Sequence, residues 1–241
     1  MCLIVFAYKK HPKYPFILLA NRDEFYDRPT RAAEFWDDFP QVFAGRDLQF
    51  GGTWLGITKS GRFAALTNYR EVRAEQGEIS RGKLVGDFLT SNISVSDYLS
   101  DVEYRSNNFS GFNLVAGEFA ENSSELGYFS NRGDSGIVKF EAGIFGLSNH
   151  LLDTPWKKVS QAKNELEKLI KPQLEPDPLF EILQSRTIAD DGELPETGVG
   201  IERERILSPI FIETPHYGTR CSSLVLFEEK KGLSLDERVF R

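Results

Sequence analysis

Histidine, cysteine and methionine are scarce in this chain: three, two and one among 241 residues. Two cysteines make no disulfide framework, and three histidines leave no spaced Cys/His set for a structural zinc, so no metal site is expected. Long apolar runs are missing as well. No stretch approaches the roughly 20 residues that a membrane helix needs, and no integral membrane segment is expected. The opening residues lack the basic stretch of a signal peptide, and Lys9, Lys10 and His11 end the first apolar run early. The chain is therefore expected in the cytosol, where thiols stay reduced, and the glycosylation-like triplets at Asn92, Asn108 and Asn122 count as chance matches. There is no basic surplus either. The formal net charge of −7 argues against a nucleic-acid partner, which calls for a basic face. The Lys-Lys pairs at 9–10 and 157–158 read as solvated surface. No phosphate-cradling Gly-Lys loop is present, and no GxGxxG follows a strand.

What is there is an ordinary globular balance, 40% hydrophobic and 27% charged, in a length that suits one domain spanning residues 1–241. CLIVFAY at 2–8 is continuously apolar and β-rich, the pattern of a strand covered on both faces. PFILLANRD repeats it and ends in charge. GGTWLGITKSGRFAALTNYR reads as a hairpin turning at Lys59-Ser60-Gly61. RGKLVGDFLT and SVSDYLSDV have helical spacing, with Ser80 and Ser94 or Ser96 as N-caps. Strands return in GFNLVAGEF, ELGYFS, GIVKFEA and GIFGLSN. From residue 155 the apolar positions Val159, Ala162, Leu166, Leu169 and Ile170 step by three and four, with Thr154 as cap and Pro155 in the first turn. A short helix fits DPLFEILQSR, residues 186–200 read as a loop, and TRCSSLVLFEE and LSLDERVF close the chain as strands. This order suits an α+β domain of mainly antiparallel sheet with helices packed outside.

The position of Cys2 leaves two readings open. It is a small core residue of a buried strand, or it is a nucleophile whose base is its own α-amine once Met1 is removed. An α-amine with a reference pKa of about 7.7–8.0 is partly neutral at physiological pH and can take the thiol proton. Downstream, Asn21, Arg22, Asp23 and Glu24 follow FILLA without a gap. Strand alternation sends them to opposite faces as Asn21 with Asp23 and Arg22 with Glu24. If this strand lies beside the first, a carboxylate can hold the amine and an arginine can favour the thiolate. A charged strand end facing water is the plainer alternative.

MC at the terminus, ANRDEFYDRPT, GGTWLGITKSGRFAALTNYR, GFNL and YGTRCSS, taken in order across nearly the whole chain, resemble the NRDE family, also called the transport and Golgi organisation protein 2 family. That family is similar to the N-terminal nucleophile cysteine hydrolases, such as penicillin V acylases, bile salt hydrolases and acid ceramidase. The resemblance implies a four-layer αββα sandwich of two mainly antiparallel sheets. It also implies an amidohydrolase-like activity on a C–N or ester bond of a small acylated molecule. In that comparison Cys2 matches the nucleophile and Asp23 the carboxylate that contacts it, with Arg22 or Asn21 beside it. The local order Asn-Arg-Asp departs from the hydrolases' Arg-Asn-x-Asp. Asn68 resembles the oxyanion-hole asparagine, Asn149 the second asparagine, and Arg220 the late arginine, expected within side-chain reach of Cys2. Asn68 and Asn149 fit ordinary turn chemistry equally well.

Other residues read more plainly. Trp54 with Gly51, Gly52 and Gly56 reads as backbone fit and core packing ahead of substrate contact. Asn113 reads as bonding a backbone edge ahead of lining the pocket, and His216 is a remote candidate partner for Cys2 or Cys221. Alternation with Arg220 turns Cys221 away from the site. No cofactor is expected for hydrolysis. The alternative is a carrier that binds haem or a lipid in the same pocket, with Cys2, Cys221, a histidine or Met1 as axial ligand. A scaffold role at Golgi-related membranes finds no amphipathic basic helix or lipidation motif.

Overall fold

The computed structural model describes residues 2–72, 77–121 and 123–241. The chain opens with strands β1 (Cys2–Tyr8), β2 (Phe16–Phe25), β3 (Thr30–Phe35), β4 (Val42–Asp47), β5 (Leu55–Thr58) and β6 (Arg62–Asn68). Helices α1 (Gly82–Thr90) and α2 (Val95–Tyr104) follow, then β7 (Phe112–Ala120), β8 (Ser123–Ser130), β9 (Val138–Lys139) and β10 (Gly143–Leu147). The last third holds α3 (Lys157–Leu169), α4 (Pro176–Ile182), α5 (Ile201–Leu207), β11 (Tyr217–Glu228) and β12 (Gly232–Val239). The strands form two sheets, ordered β10-β1-β2-β11-β12 and β3-β4-β5-β6-β7-β8-β9, and every paired strand is antiparallel.

Three apolar layers hold these sheets and helices together. Ile4, Phe6 and Tyr8 of β1 and Phe16 and Leu18 of β2 meet Phe63, Val115 and Tyr128 of the other sheet in the central layer. The intervening residues Leu3, Val5, Ala7, Ile17 and Leu19 face the opposite way and pack on Val159, Ala162, Leu179 and Phe180 of α3 and α4. On the far side, Ala64, Leu66 and Leu114 pack on Leu84, Phe88, Tyr98 and Leu99 of α1 and α2. The molecule is therefore the four-layer αββα sandwich. This layering explains CLIVFAY: both faces of an antiparallel strand are covered, one by a sheet and one by helices, so apolar residues occupy successive positions.

Local details differ from the sequence expectation where caps and short elements are concerned. Ser94 caps α2, accepting from the Asp97 backbone N–H at 3.1 Å. Ser80 is not a cap: α1 begins at Gly82 behind Arg81, which makes no capping side-chain bond. Thr154 does not cap α3 either; its hydroxyl donates to the Leu151 carbonyl, and the helix starts at Lys157 beyond Pro155. The strands β3 and β4 and the helix α5 were not anticipated. β3 is largely exposed, and α5 buries only a glutamate, so neither carries an apolar period. The triplet at Asn122 lies outside the described residues.

Candidate active site

The register of three strands builds the site. Cys2 lies opposite Arg22 across β1 and β2, and Cys221 lies opposite Arg22 across β2 and β11. Residues directly opposite share a face of the sheet, and the neighbouring Ile4 and Ala20 point into the inter-sheet layer. Cys2, Arg22 and Cys221 thus form one row at the open end of that layer. β2 continues past the core, so its charged residues stand at the rim. Asn21 points the other way, into the helix layer. Its amide donates to the Leu183 and Ile210 carbonyls at 2.8 and 2.9 Å, and its side-chain oxygen accepts from Ser222.

A cavity of about 120 Å³ opens at this rim, and Cys2, Arg22, Asp23 and Asn68 all line it. Trp54 also lines it, with the Arg22 guanidinium stacked 4.0 Å over its ring. Trp54 is therefore more than core packing. Its indole occupies the space where a side chain at Gly45 would stand, 2.1 Å from an added Cβ. The thiol of Cys2 is pushed above the ordinary cysteine range by burial, and the Asp23 carboxylate adds to this. A hydrogen bond from the Asp23 backbone N–H and the Arg22 charge act in the opposite direction.

Asp23 is 1% exposed and its carboxylate accepts a 2.7 Å bond from the Thr219 hydroxyl. Burial raises its pKa, opposed by Lys158, by the Thr219 bond and by Arg70. Those two cations belong to a buried charge cluster. Lys158 is 3% exposed, donates to the Leu207 carbonyl at 2.9 Å, and has its pKa lowered by burial to about 8. Arg70 pairs with Glu204 of α5, which also accepts from the backbone N–H and the hydroxyl of Thr197. The expectation that Lys157-Lys158 is solvated surface is thus half corrected. Lys157 is exposed, whereas Lys158 lies in the buried row of α3 with Ala162, four residues on, and Leu166. That helical spacing was the signal available in the sequence.

The asparagines and the late arginine are placed differently from one another. Asn68 ends β6 at the cavity, and its carbonyl accepts a 2.8 Å bond from the Asn149 amide. Asn149 is fully buried, does not line the cavity, and accepts from the Arg70 backbone N–H at 2.7 Å. Its neighbour Ser148 donates to the Cys2 carbonyl at 3.1 Å. Asn149 thus ties the end of β6 to the segment after β10. Arg220 does not line the cavity. The β2–β11 register shifts between Thr219 and Cys221, so Arg220 sits in a bulge. Its guanidinium donates to the carbonyls of Phe25, Arg28 and Arg241. The same bulge resets the alternation, and Cys221 faces the row with Arg22 rather than turning away. His216 is exposed, and Asn113 bonds Thr67 and the His150 carbonyl as expected.

Glu24, which strand alternation groups with Arg22, lines the cavity, and so do Arg28, Asp47, Ser80 and Arg81, to which sequence reasoning assigned no site role. Arg28 pairs with Asp47 at 2.5 Å and approaches Glu24 at 3.8 Å. Arg81 enters from the start of α1, which lies against Gly52. An added Cβ there would meet the Gly82 carbonyl carbon at 2.5 Å, so Gly52 is what lets α1 reach the rim.

A family model described as Transport and Golgi organisation 2 matches residues 1–241. Among curated proteins, the Transport and Golgi organization protein 2 homolog of Bos taurus is 36% identical over 255 residues, covering 99% of this chain and 92% of that protein. The Homo sapiens homolog is 33% identical with the same coverage. Among solved structures, a Caenorhabditis elegans N-acylethanolamine-hydrolyzing acid amidase ortholog aligns with a TM-score of 0.48 at 10% identity, covering 98% of this chain and all of the other.

Proposed function

The chain belongs to the Transport and Golgi organisation 2 family, and from that premise we propose that it is a cysteine amidohydrolase acting on an amide or ester bond of a small acylated molecule. The observation that supports this reading is the seat of Cys2: a thiol at the rim of the inter-sheet layer, sharing one cavity with Arg22, Asp23 and Asn68. Removal of Met1 gives Cys2 a free α-amine, which takes the thiol proton. Asp23 holds the resulting ammonium, and Arg22 together with the Asp23 N–H favours the thiolate. The sulfur adds to the carbonyl carbon, and the Asn68 amide donates to the oxyanion as it forms. The tetrahedral adduct collapses, the amine or alcohol leaves with the proton from the α-ammonium, and water then hydrolyses the thioester. Asn149 acts one step back, positioning Asn68 through its carbonyl. Arg220 anchors the C-terminal residues to the β2–β3 connection instead of touching the sulfur. The reaction belongs in the cytosol under this reading. Among the described residues no helix is long and apolar enough to cross a membrane.

Intact-mass and peptide mass spectrometry test the proposal. Incubation with a p-nitrophenyl acyl ester should add one acyl mass to Cys2, none to Cys221, and none to Cys2→Ala. A chain isolated from cells that retains Met1, or acylation that survives Cys2→Ala, would sink it.

A further inference from the structure

The charges around the cavity do not pair off evenly. Three arginines, Arg22, Arg28 and Arg81, and three acids, Asp23, Glu24 and Asp47, line it. Arg28 takes up Asp47 and Glu24, and Asp23 engages Thr219 and the Lys158–Arg70 cluster on the other side of β2. Arg22 and Arg81 are left. Among the described residues neither has a carboxylate within ion-pair distance. Arg22, only 6% exposed, has one hydrogen bond, to the Thr30 hydroxyl at 3.1 Å, besides its stack on Trp54. Arg81 has one, to the Gly111 carbonyl at 2.9 Å. Arg81 is partly exposed and feels the charges of Glu24 and Glu71 from beyond ion-pair distance, whereas Arg22 is buried, and burying a cation without an anionic partner is costly.

The start of α1 adds to this surplus. Ser80, Arg81 and Gly82 line the cavity, the helix has no side-chain cap, and its first turn holds no acidic residue. The positive end of a helix, uncompensated by an acid of its own, attracts anions. Two guanidiniums and a helix N-terminus converge on one hollow, with a nucleophile candidate on its wall.

We propose that this hollow is an oxyanion subsite, in which Arg22, Arg81 and the first turn of α1 hold a carboxylate or phosphate group. Taken with the preceding reading, on which this step rests, the acylated substrate is itself an anion whose charged group sits within a few bonds of the scissile carbonyl. The Trp54 ring fixes the plane of the Arg22 guanidinium, and the Gly111 bond leaves the rest of the Arg81 fork for bidentate contact.

Paired alkylation of Cys2 provides the test. Iodoacetate carries a carboxylate and iodoacetamide is its neutral analogue; both react with the same thiolate, so the ratio of their rates cancels differences in thiol ionisation. Rates are followed by peptide mapping, which separates Cys2 from Cys221, at low salt with N-acetylcysteine as the reference thiol. The iodoacetate-to-iodoacetamide ratio at Cys2 should exceed the reference by about tenfold or more, the worth of one hydrogen bond to a charged group. Arg81→Gln should remove most of that excess and Arg81→Lys should retain part of it. A ratio no higher than the reference overturns the subsite, and an excess untouched in Arg81→Gln overturns the assignment to Arg81. In unsubstituted protein, glutarate and pyrophosphate are compared as protectants against iodoacetamide. The one that protects at lower concentration names the group, and protection by neither overturns the proposal. A raised ratio in a protein that forms no acyl adduct would leave the anion subsite standing and remove only the hydrolytic reading.

Discussion

Glu204 is the most informative residue to remove, because it lies far from the cavity in sequence and supports it through a buried ion pair. Its side chain is 3% exposed and that of Arg70 5% exposed. Burial lowers the Arg70 pKa, and the Glu204 charge is the largest influence restoring it. Glu204→Ala deletes that charge together with the acceptors for the Thr197 N–H and hydroxyl. Breaking a buried pair from one side costs about 3–5 kcal/mol, since the remaining ion stays desolvated. For a chain of this size that corresponds to a fall in Tm of roughly 6–20 °C. Urea unfolding followed by circular dichroism measures it. The double variant Arg70→Met/Glu204→Leu should recover most of the loss, because an apolar pair of similar volume needs no compensation. A loss below about 1 kcal/mol in the single variant, or a double variant as unstable as the single, would refute the claim that the pair is buried and mutually dependent. The effect should also reach the site, since the Arg70 backbone N–H bonds the carbonyl of Asn149, whose amide in turn holds Asn68.

Lys158 gives a pH dependence with a definite sign. Its pKa falls from 10.5 to about 8 on folding, so between these values the unfolded chain binds more protons, and stability should rise with pH across that window, by up to roughly 3 kcal/mol. Lys158→Met should abolish the rise in urea unfolding at pH 7.5 and 10; an identical rise in that variant would rule out Lys158 as its source. Haem titration separates carriage from turnover: of the described candidate axial ligands only Cys2 lines the cavity, while His11 and His150 are hydrogen-bonded to the Lys171 carbonyl and to Tyr69 and Thr154. A Soret shift that disappears in Cys2→Ala would place haem in this cavity, and one that persists would place it elsewhere.

The parts of this molecule that were legible in its sequence are those in which apolar residues recur with a period. Leu3, Val5 and Ala7 serve one layer and Ile4, Phe6 and Tyr8 another, so the continuous run CLIVFAY carried both. Val159, Ala162 and Leu166 marked α3 in the same way. What stayed hidden depends on polar groups whose partners are remote. IERERIL has no apolar stripe, and its helix buries Glu204 against an arginine 134 positions away. Lys158 looks like surface until Asp23 and the Leu207 carbonyl are beside it. The bulge at Arg220 shows the same limit within a strand. Alternation holds only while the ladder is regular, and one unpaired residue at Arg220 put Cys221 opposite Arg22, where unbroken alternation would have turned it away. Cys2, Arg22 and Asp23 could be read together because β1 and β2 bring Cys2 and Arg22 into register, whereas Asn68, on the other sheet, came only from the family resemblance. Arg81 was not found, because it is Gly52 that lets a helix end reach that rim, and a glycine announces a close approach without naming what approaches.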